Sequence, residues 1–296
     1  MLLRYALDVA PLWNSSEEFA EALNLLPALI RPSVTKFYFP ADRKLALGSQ
    51  LLQRFVVSKV YSNGRPSADI PTLSSISITR DAESGRPSYH TPAELLEKCN
   101  GLVLRDYNVS HHNPKSSNSD STPCLVILVA RVTAATLSSP ALRVGVDLVP
   151  TIHNRGNTSA ADFLETFRDS DVFTKNEIRA IYSPPLEGDR VKMMYLHWAL
   201  KEAYCKAVGT GLVTNLLAID FRHVELGKVE QRERDTQVKV FVDGTQRDEW
   251  MLEIGKLSGD HYVAIATDSW SGEEEAEETG KWLWIDFGKD ILSIWS

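Results

Sequence analysis

The longest unbroken apolar run in this 296-residue chain, Cys124–Ala130 (CLVILVA), is only as long as a strand. A membrane-crossing helix needs about 20 such residues. No span is therefore expected, and the hydrophobic content must be buried in short pieces. Those pieces switch between period two and period 3.6 along the whole chain. Strands are expected at Leu3–Val9, Ile76–Thr79, Leu102–Val109, Leu125–Val132 and Arg143–Val149. Further strands are expected at Leu217–Val224, Gln237–Asp243, Glu249–Lys256 and His261–Thr267. Helices are expected from Ser15 or Ser16 to about Leu26, and over Ala41–Val57, Ala160–Phe167, Lys175–Tyr182 and Asp189–Val208. Ser15 with Glu18 three residues later fits a capping box, and Gly209 is a C-terminal stop. Both element types in both halves make an α+β pattern, divided at 1–139 and 140–296. That division suits a prior of about 150 residues per domain.

Hydrophobic residues at 43% and charged residues at 24% fall near the averages of soluble globular proteins. The N-terminus lacks a basic segment followed by a clean apolar stretch, so no signal peptide is expected. Cys99, Cys124 and Cys205 are too few and too widely spaced for a disulfide framework or a zinc site, which favours a reduced, cytoplasmic setting. The net charge is −7, but Glu273, Glu274, Glu275, Glu277 and Glu278 lie in one run that reads as a solvated linker. Without them the balance is nearly neutral. That argues against general nucleic-acid binding and permits a local anion site. His112–Pro123 reads as a polar loop.

The chemistry concentrates in three segments. In Tyr195–Leu212 (YLHWALKEAYCKAVGTGL), Glu202 and Lys206 stand four apart and project from one helix face, with Trp198 one turn before them. Taken alone they can be an ordinary exposed pair, but the aromatic neighbours suggest a partly buried face, where such pairs are more often functional. Asp147 interrupts the apolar strand VGVDLV, at a cost of several kcal/mol unless it is paired, hydrogen-bonded or metal-bound. With Glu202 it can form a hard-oxygen pair suited to magnesium. Ser110 and His111 close the strand YNVSHH, where a hydroxyl and an imidazole can meet an anion, or His111 can be plain surface. Arg43, Lys44 and Arg86 are further cations that can share an anion. Neither a phosphate-loop consensus nor a dinucleotide glycine fingerprint occurs.

VGVDLV followed by WALKEAYCKAVGTGL resembles the two signatures of 4'-phosphopantetheinyl transferases, G-[IV]-D and W-x-x-K-E-[AS]-x-x-K. DRKLALGSQLLQRF is similar to the family's early helix and SGRPSY to its Gly-Lys-Pro turn. YNVSHH is similar to its Asn-[IV]-Ser-His strand end and VFTKNEIRAI to its Phe-[ST]-x-x-E segment. The likeness runs over residues 36 to 212. It points to the long, Sfp-like monomeric class that includes the aminoadipate-semialdehyde-dehydrogenase phosphopantetheinyl transferases. The resemblance implies two similar α+β halves with the active site at their interface. It implies that Asp147 and Glu202 hold Mg²⁺ against the diphosphate of coenzyme A and that Lys206 touches the phosphates. It further implies that Arg43 or Lys44, with Arg86, Ser110 and His111, bind the 3'-phosphate end.

Two positions depart from the pattern. Val149 stands where many bacterial members carry a third acid, a vacancy for water or Glu177 to fill. Arg86 replaces a lysine and changes the donor geometry. The implied reaction moves the phosphopantetheine arm to a serine of an apo carrier protein and releases 3',5'-adenosine bisphosphate. Glu202 is the first candidate base and Glu177 the second. Acyl and peptidyl carriers and aminoadipate reductase are the candidate partners, with Val172–Pro185 as a docking edge. Another Mg²⁺-dependent phosphoryl-group enzyme, or a carrier-binding module without catalysis, is the alternative.

Overall fold

A computed structural model describes residues 1–62, 71–98, 101–113, 123–134, 142–152, 158–210, 215–232, 234–258, 260–268 and 280–292. These residues form two compact units. The first contains β1 (Leu2–Asp8), α1 (Ser16–Asn24), α2 (Arg31–Thr35), α3 (Pro40–Ser62), β2 (Thr79–Arg80), β3 (Pro87–Ser88), α4 (Ala93–Lys98), β4 (Leu102–His112) and β5 (Leu125–Ala134). β5 pairs antiparallel with β1 (Leu7↔Val126) and with β4 (Ser110↔Ile127). Tyr5, Leu7, Val126 and Leu128 alternate onto one face and join Leu47, Leu51, Leu52 and Phe55 of α3 in a single core. α3 runs antiparallel to β4 and is tied to it near both ends. Asn113 Nδ2 donates to Asp42 Oδ1 at 3.2 Å, and the Leu104 amide donates to Tyr61 Oη at 3.2 Å. The second anchor carries the helix past the expected end at Val57.

The second unit contains β6 (Val144–Pro150), α5 (Ala160–Arg168), α6 (Lys175–Tyr182), α7 (Glu187–Val208), β7 (Ile219–Arg222), α8 (Leu226–Arg232), β8 (Arg234–Asp235), β9 (Lys239–Val242), β10 (Thr245–Gln246), β11 (Trp250–Leu257) and β12 (His261–Asp268). One sheet has the order β6-β12-β11-β8, the other β10-β9-β7. α7 packs its apolar residues, among them Leu196, Ala199, Leu200 and Ala203, against Val149, Ala264 and Ala266. The capping signals act as the sequence suggests. Ser15 and Glu18 form a capping box and Gly209 ends α7 at φ 82°; Thr174 and Glu177 form a second box that the sequence reading missed.

The chain's end corrects the expected division at 139/140. The first unit extends to Arg143 and takes back the C-terminal residues. β13 (Leu283–Trp284) adds a parallel strand to the edge of β1, opposite Tyr5 and Ala6. Ile291 is fully buried in the first core, and Phe287 meets Trp13 edge-on at 5.1 Å. The cause is an unpaired strand edge covered by an apolar segment. Two strand expectations also change. Ile76 is buried without strand pairing, and only Thr79–Arg80 pairs there. Leu216–Ala218 forms a 3₁₀ turn capped by the Asn215 side chain before β7 begins. Cys124 and Cys205 are buried free thiols. Cys99, residues 114–122 of the polar loop and the five-glutamate run lie outside the described residues.

Candidate active site

The closest approach of β6 and α7 is set by one glycine. A Cβ on Gly145 would stand 1.9 Å from the Ala203 carbonyl oxygen and 2.6 Å from the Ala207 nitrogen. Any side chain would hold strand and helix apart. Asp147 follows two residues along, on the same face of the strand, and Glu202 and Lys206 bracket the contact on the helix. Lys206 Nζ donates to Asp147 Oδ1 at 2.7 Å and to the Val146 carbonyl at 3.2 Å. The buried aspartate charge is thus partnered, as its place in an apolar strand requires.

Glu202 is half-buried one turn before Lys206. Among the described residues its carboxylate takes part in no hydrogen bond or ion pair. Burial raises its pKa and the neighbouring Asp147 charge raises it further, with Lys206 opposing both. A carboxylate without a partner beside a second carboxylate attracts a cation. No group of three or more His, Cys, Asp or Glu side chains able to hold a metal occurs among the described residues, and Val149 is turned into the core. The fit is therefore to a cation content with two protein carboxylates. Magnesium, which keeps waters and phosphate oxygens for the rest of its shell, meets that condition.

Glu177 has a different setting from the one its sequence neighbourhood suggests. The side chain is 0% exposed, and each of its oxygens is engaged. One accepts the Phe221 amide at 3.0 Å. The other accepts the Thr174 amide at 2.8 Å and pairs with Lys201 Nζ at 2.9 Å. Burial pushes its pKa up, but His197, with a ring nitrogen 3.8 Å away, and Lys201 outweigh burial and hold it below the usual range. Lys201, 1% exposed, also donates to the Leu216 and Ile219 carbonyls at 2.8 and 2.6 Å. Glu177 is thus a buried tie between α6, α7 and β7, which corrects its reading as a base or a filler of the Val149 vacancy. Lys201, whose anchoring role the sequence reading missed, precedes Glu202 directly. Its signal was a lysine on the apolar side of a helix.

The remaining candidates belong to the first unit. Arg43 Nε donates to the Phe37 carbonyl at 2.6 Å. Lys44 Nζ donates to Ala10 O at 3.1 Å and Asn14 Oδ1 at 2.6 Å, and burial lowers its pKa. Arg86 pairs with Asp106. A register shift between Leu104 and Asp106 inserts an extra residue in β4, and such a bulge re-aims neighbouring side chains. Nothing in linear spacing signals the Arg86–Asp106 pair. Ser110 is buried and His111 exposed. As consecutive strand residues their side chains face opposite ways.

Comparison with known proteins covers both units. Residues 143–266 match the model of the 4'-phosphopantetheinyl transferase superfamily, and residues 12–115 match that of the 4'-phosphopantetheinyl transferase N-terminal domain. The chain is 25% identical over 268 residues to the human L-aminoadipate-semialdehyde dehydrogenase-phosphopantetheinyl transferase, covering 89% of this chain and 74% of the relative. It is 26% identical over 269 residues to the Schizosaccharomyces pombe protein of the same name, covering 89% and 91%. To the 4'-phosphopantetheinyl transferase 1 of Fusarium mangiferae it is 28% identical over 234 residues, covering 73% and 70%.

Proposed function

Because this chain belongs to the 4'-phosphopantetheinyl transferase superfamily, we propose that Asp147, Glu202 and Lys206 handle the diphosphate of coenzyme A in its reaction. That reaction moves the 4'-phosphopantetheine arm to an apo carrier protein. The single observation that carries the assignment is the Lys206–Asp147 pair beside the Glu202 carboxylate, which has no hydrogen-bond or ion-pair partner among the described residues.

The carrier serine oxygen bonds to the β-phosphorus of coenzyme A. The bond from that phosphorus to the bridging oxygen breaks, and 3',5'-adenosine bisphosphate departs with the electron pair. Glu202 is the proposed acceptor of the serine proton. Asp147 and Glu202 are the residues that would hold Mg²⁺, which supplies neutralisation of the diphosphate charge when bound. Lys206 places an ammonium among the same oxygens, so its work is positioning and electrostatic. His111 and Arg43 are proposed contacts for the 3'-phosphate. Lys44 and Arg86 are further candidates for the same contact. The names of the relatives make an aminoadipate reductase carrier domain the first substrate to try. Lys175, Arg179 and Pro185 are exposed along the proposed docking edge, a basic and apolar mixture suited to a small acidic carrier.

Intact-mass measurement of an apo carrier incubated with coenzyme A tests the reading, since transfer adds about 340 Da, the mass of the arm carried as a group. Glu202→Gln and Asp147→Asn are expected to slow transfer by at least ~10²-fold, the usual scale for a lost acid–base group, while remaining folded. Transfer by either variant within a few-fold of wild type removes that residue from the site. Equal rates with magnesium and with chelator remove the metal.

A further inference from the structure

The core of the first unit contains a cation that the proposed function does not use. Arg54 of α3 is 0% exposed and Tyr107 of β4 is 1% exposed. The two α3–β4 anchors place them together. Arg54 lies two helical turns before Tyr61 on the same face, about 10.5 Å along the axis. Tyr107 lies three strand residues beyond Leu104 toward Asn113, somewhat less than the ~10 Å of a regular strand because the step crosses the bulge. Since Tyr61 meets Leu104 and Asp42 meets Asn113, Arg54 lies level with Tyr107, and each acts electrostatically on the other.

The hydrogen bonds of this pair are incomplete. Arg54 Nη1 donates to Gln50 O at 3.1 Å and to Gln50 Oε1 at 2.8 Å. Arg54 Nε and Nη2, and the Tyr107 hydroxyl, are buried without a hydrogen-bond partner among the described residues. Nε and Nη2 carry the two parallel N–H groups of the guanidinium fork, the geometry that grips an anion from the side. Charge points the same way. Arg54, Arg80 and Arg86 all act on Tyr107, against the single carboxylate of Asp106, which Arg86 already occupies. Burial lowers the Arg54 pKa only to about 10, so the group is charged at neutral pH. A buried charge left alone costs several kcal/mol.

We propose that the layer between α3 and β4 at Arg54 and Tyr107 is a binding site for a small inorganic anion, halide or phosphate in size. Two guanidinium N–H groups and one phenol O–H are its donors. Such a ligand neutralises the core cation and satisfies all three groups at once. It binds the folded chain alone, because the donors converge only when α3 lies on β4, so it stabilises the first unit by mass action.

The test uses the full chain. Thermal unfolding is followed during titration with sodium chloride and separately with sodium phosphate. The same series on Arg54→Met subtracts the general effect of salt on stability. A saturable rise in the wild-type midpoint that vanishes in Arg54→Met and shrinks in Tyr107→Phe is expected, and the more effective salt identifies the anion. Parallel curves for all three proteins overturn the site. Should Arg54→Met fail to fold, crystals of wild type soaked in bromide give the independent reading. An anomalous peak within hydrogen-bond distance of Arg54 Nε and Tyr107 Oη is expected, and an ordered water in that place overturns the proposal.

Discussion

Two carboxylates, Asp147 and Glu202, share one small volume with a single ammonium, that of Lys206, and the three are not equivalent. Lys206 satisfies Asp147, which leaves Glu202 to bear the repulsion. Burial raises its pKa above the ordinary 4.5, and this repulsion raises it further. Over the interval between the two values the folded state holds more proton than the unfolded state, so this group's contribution to stability falls as pH rises through it. At neutral pH the glutamate is a cost. In chelator, Glu202→Gln is expected to be at least as stable as wild type at pH 8, with its advantage shrinking toward pH 5. Added magnesium is expected to stabilise wild type and leave the variant unchanged, since only a ligand of the folded form shifts the equilibrium. Urea midpoints for both proteins, with and without magnesium, check both statements. A less stable variant at pH 8 in chelator contradicts the raised pKa.

On the scale of elements, α7 must be held against β6 for Lys206 to meet Asp147 and for Glu202 to stand within its field. Two devices do this from opposite sides. Gly145 lets the helix backbone settle onto β6. On the far face, Lys201 ties α7 to α6 through Glu177 and to the chain entering β7 through two carbonyls. Removing one member of a buried pair strands the other charge, at about 3–5 kcal/mol, whereas an apolar replacement of both is often close to neutral. Glu177→Gln is therefore expected to lower unfolding stability by that order and to retain transfer activity wherever it stays folded. Glu177→Leu with Lys201→Met should recover most of the loss. Denaturant titration with activity measured on the folded fraction decides. A fully folded Glu177→Gln protein without activity would return Glu177 to the chemistry.

At the level of the whole molecule, each unit carries a long helix on an antiparallel sheet, and the chain ends in the unit where it began. β13 and Ile291 complete the first unit's sheet and core. Truncation after Asp268 uncovers the edge of β1 and empties the Ile291 site, a loss of about 2–5 kcal/mol for a large buried aliphatic group. It also exposes a strand edge open to association. The truncated protein is expected to unfold at lower denaturant and to scatter light at concentrations where the full chain does not. Unchanged stability would mean that the C-terminal residues merely rest on the surface.

Much of this was legible in the residues themselves. Period and capping depend on neighbours within a turn or two, so α6 has the bounds its sequence suggests, and the capping box at Ser15 and the stop at Gly209 stand where their residue types place them. G-[IV]-D and W-x-x-K-E marked Asp147, Glu202 and Lys206 through their resemblance to the family signatures, while the Lys206–Asp147 contact itself joins distant segments. What lay beyond the sequence was every partnership between distant segments. Glu177 differs from a solvent-facing acid only because Lys201 and the Phe221 amide close over it. Arg86 finds Asp106 through a bulge, and the C-terminal strand returns to β1. Such pairings follow from which apolar faces meet in space, and that is decided by the packing of the whole unit, because burial is a property of the assembled chain and no single segment possesses it.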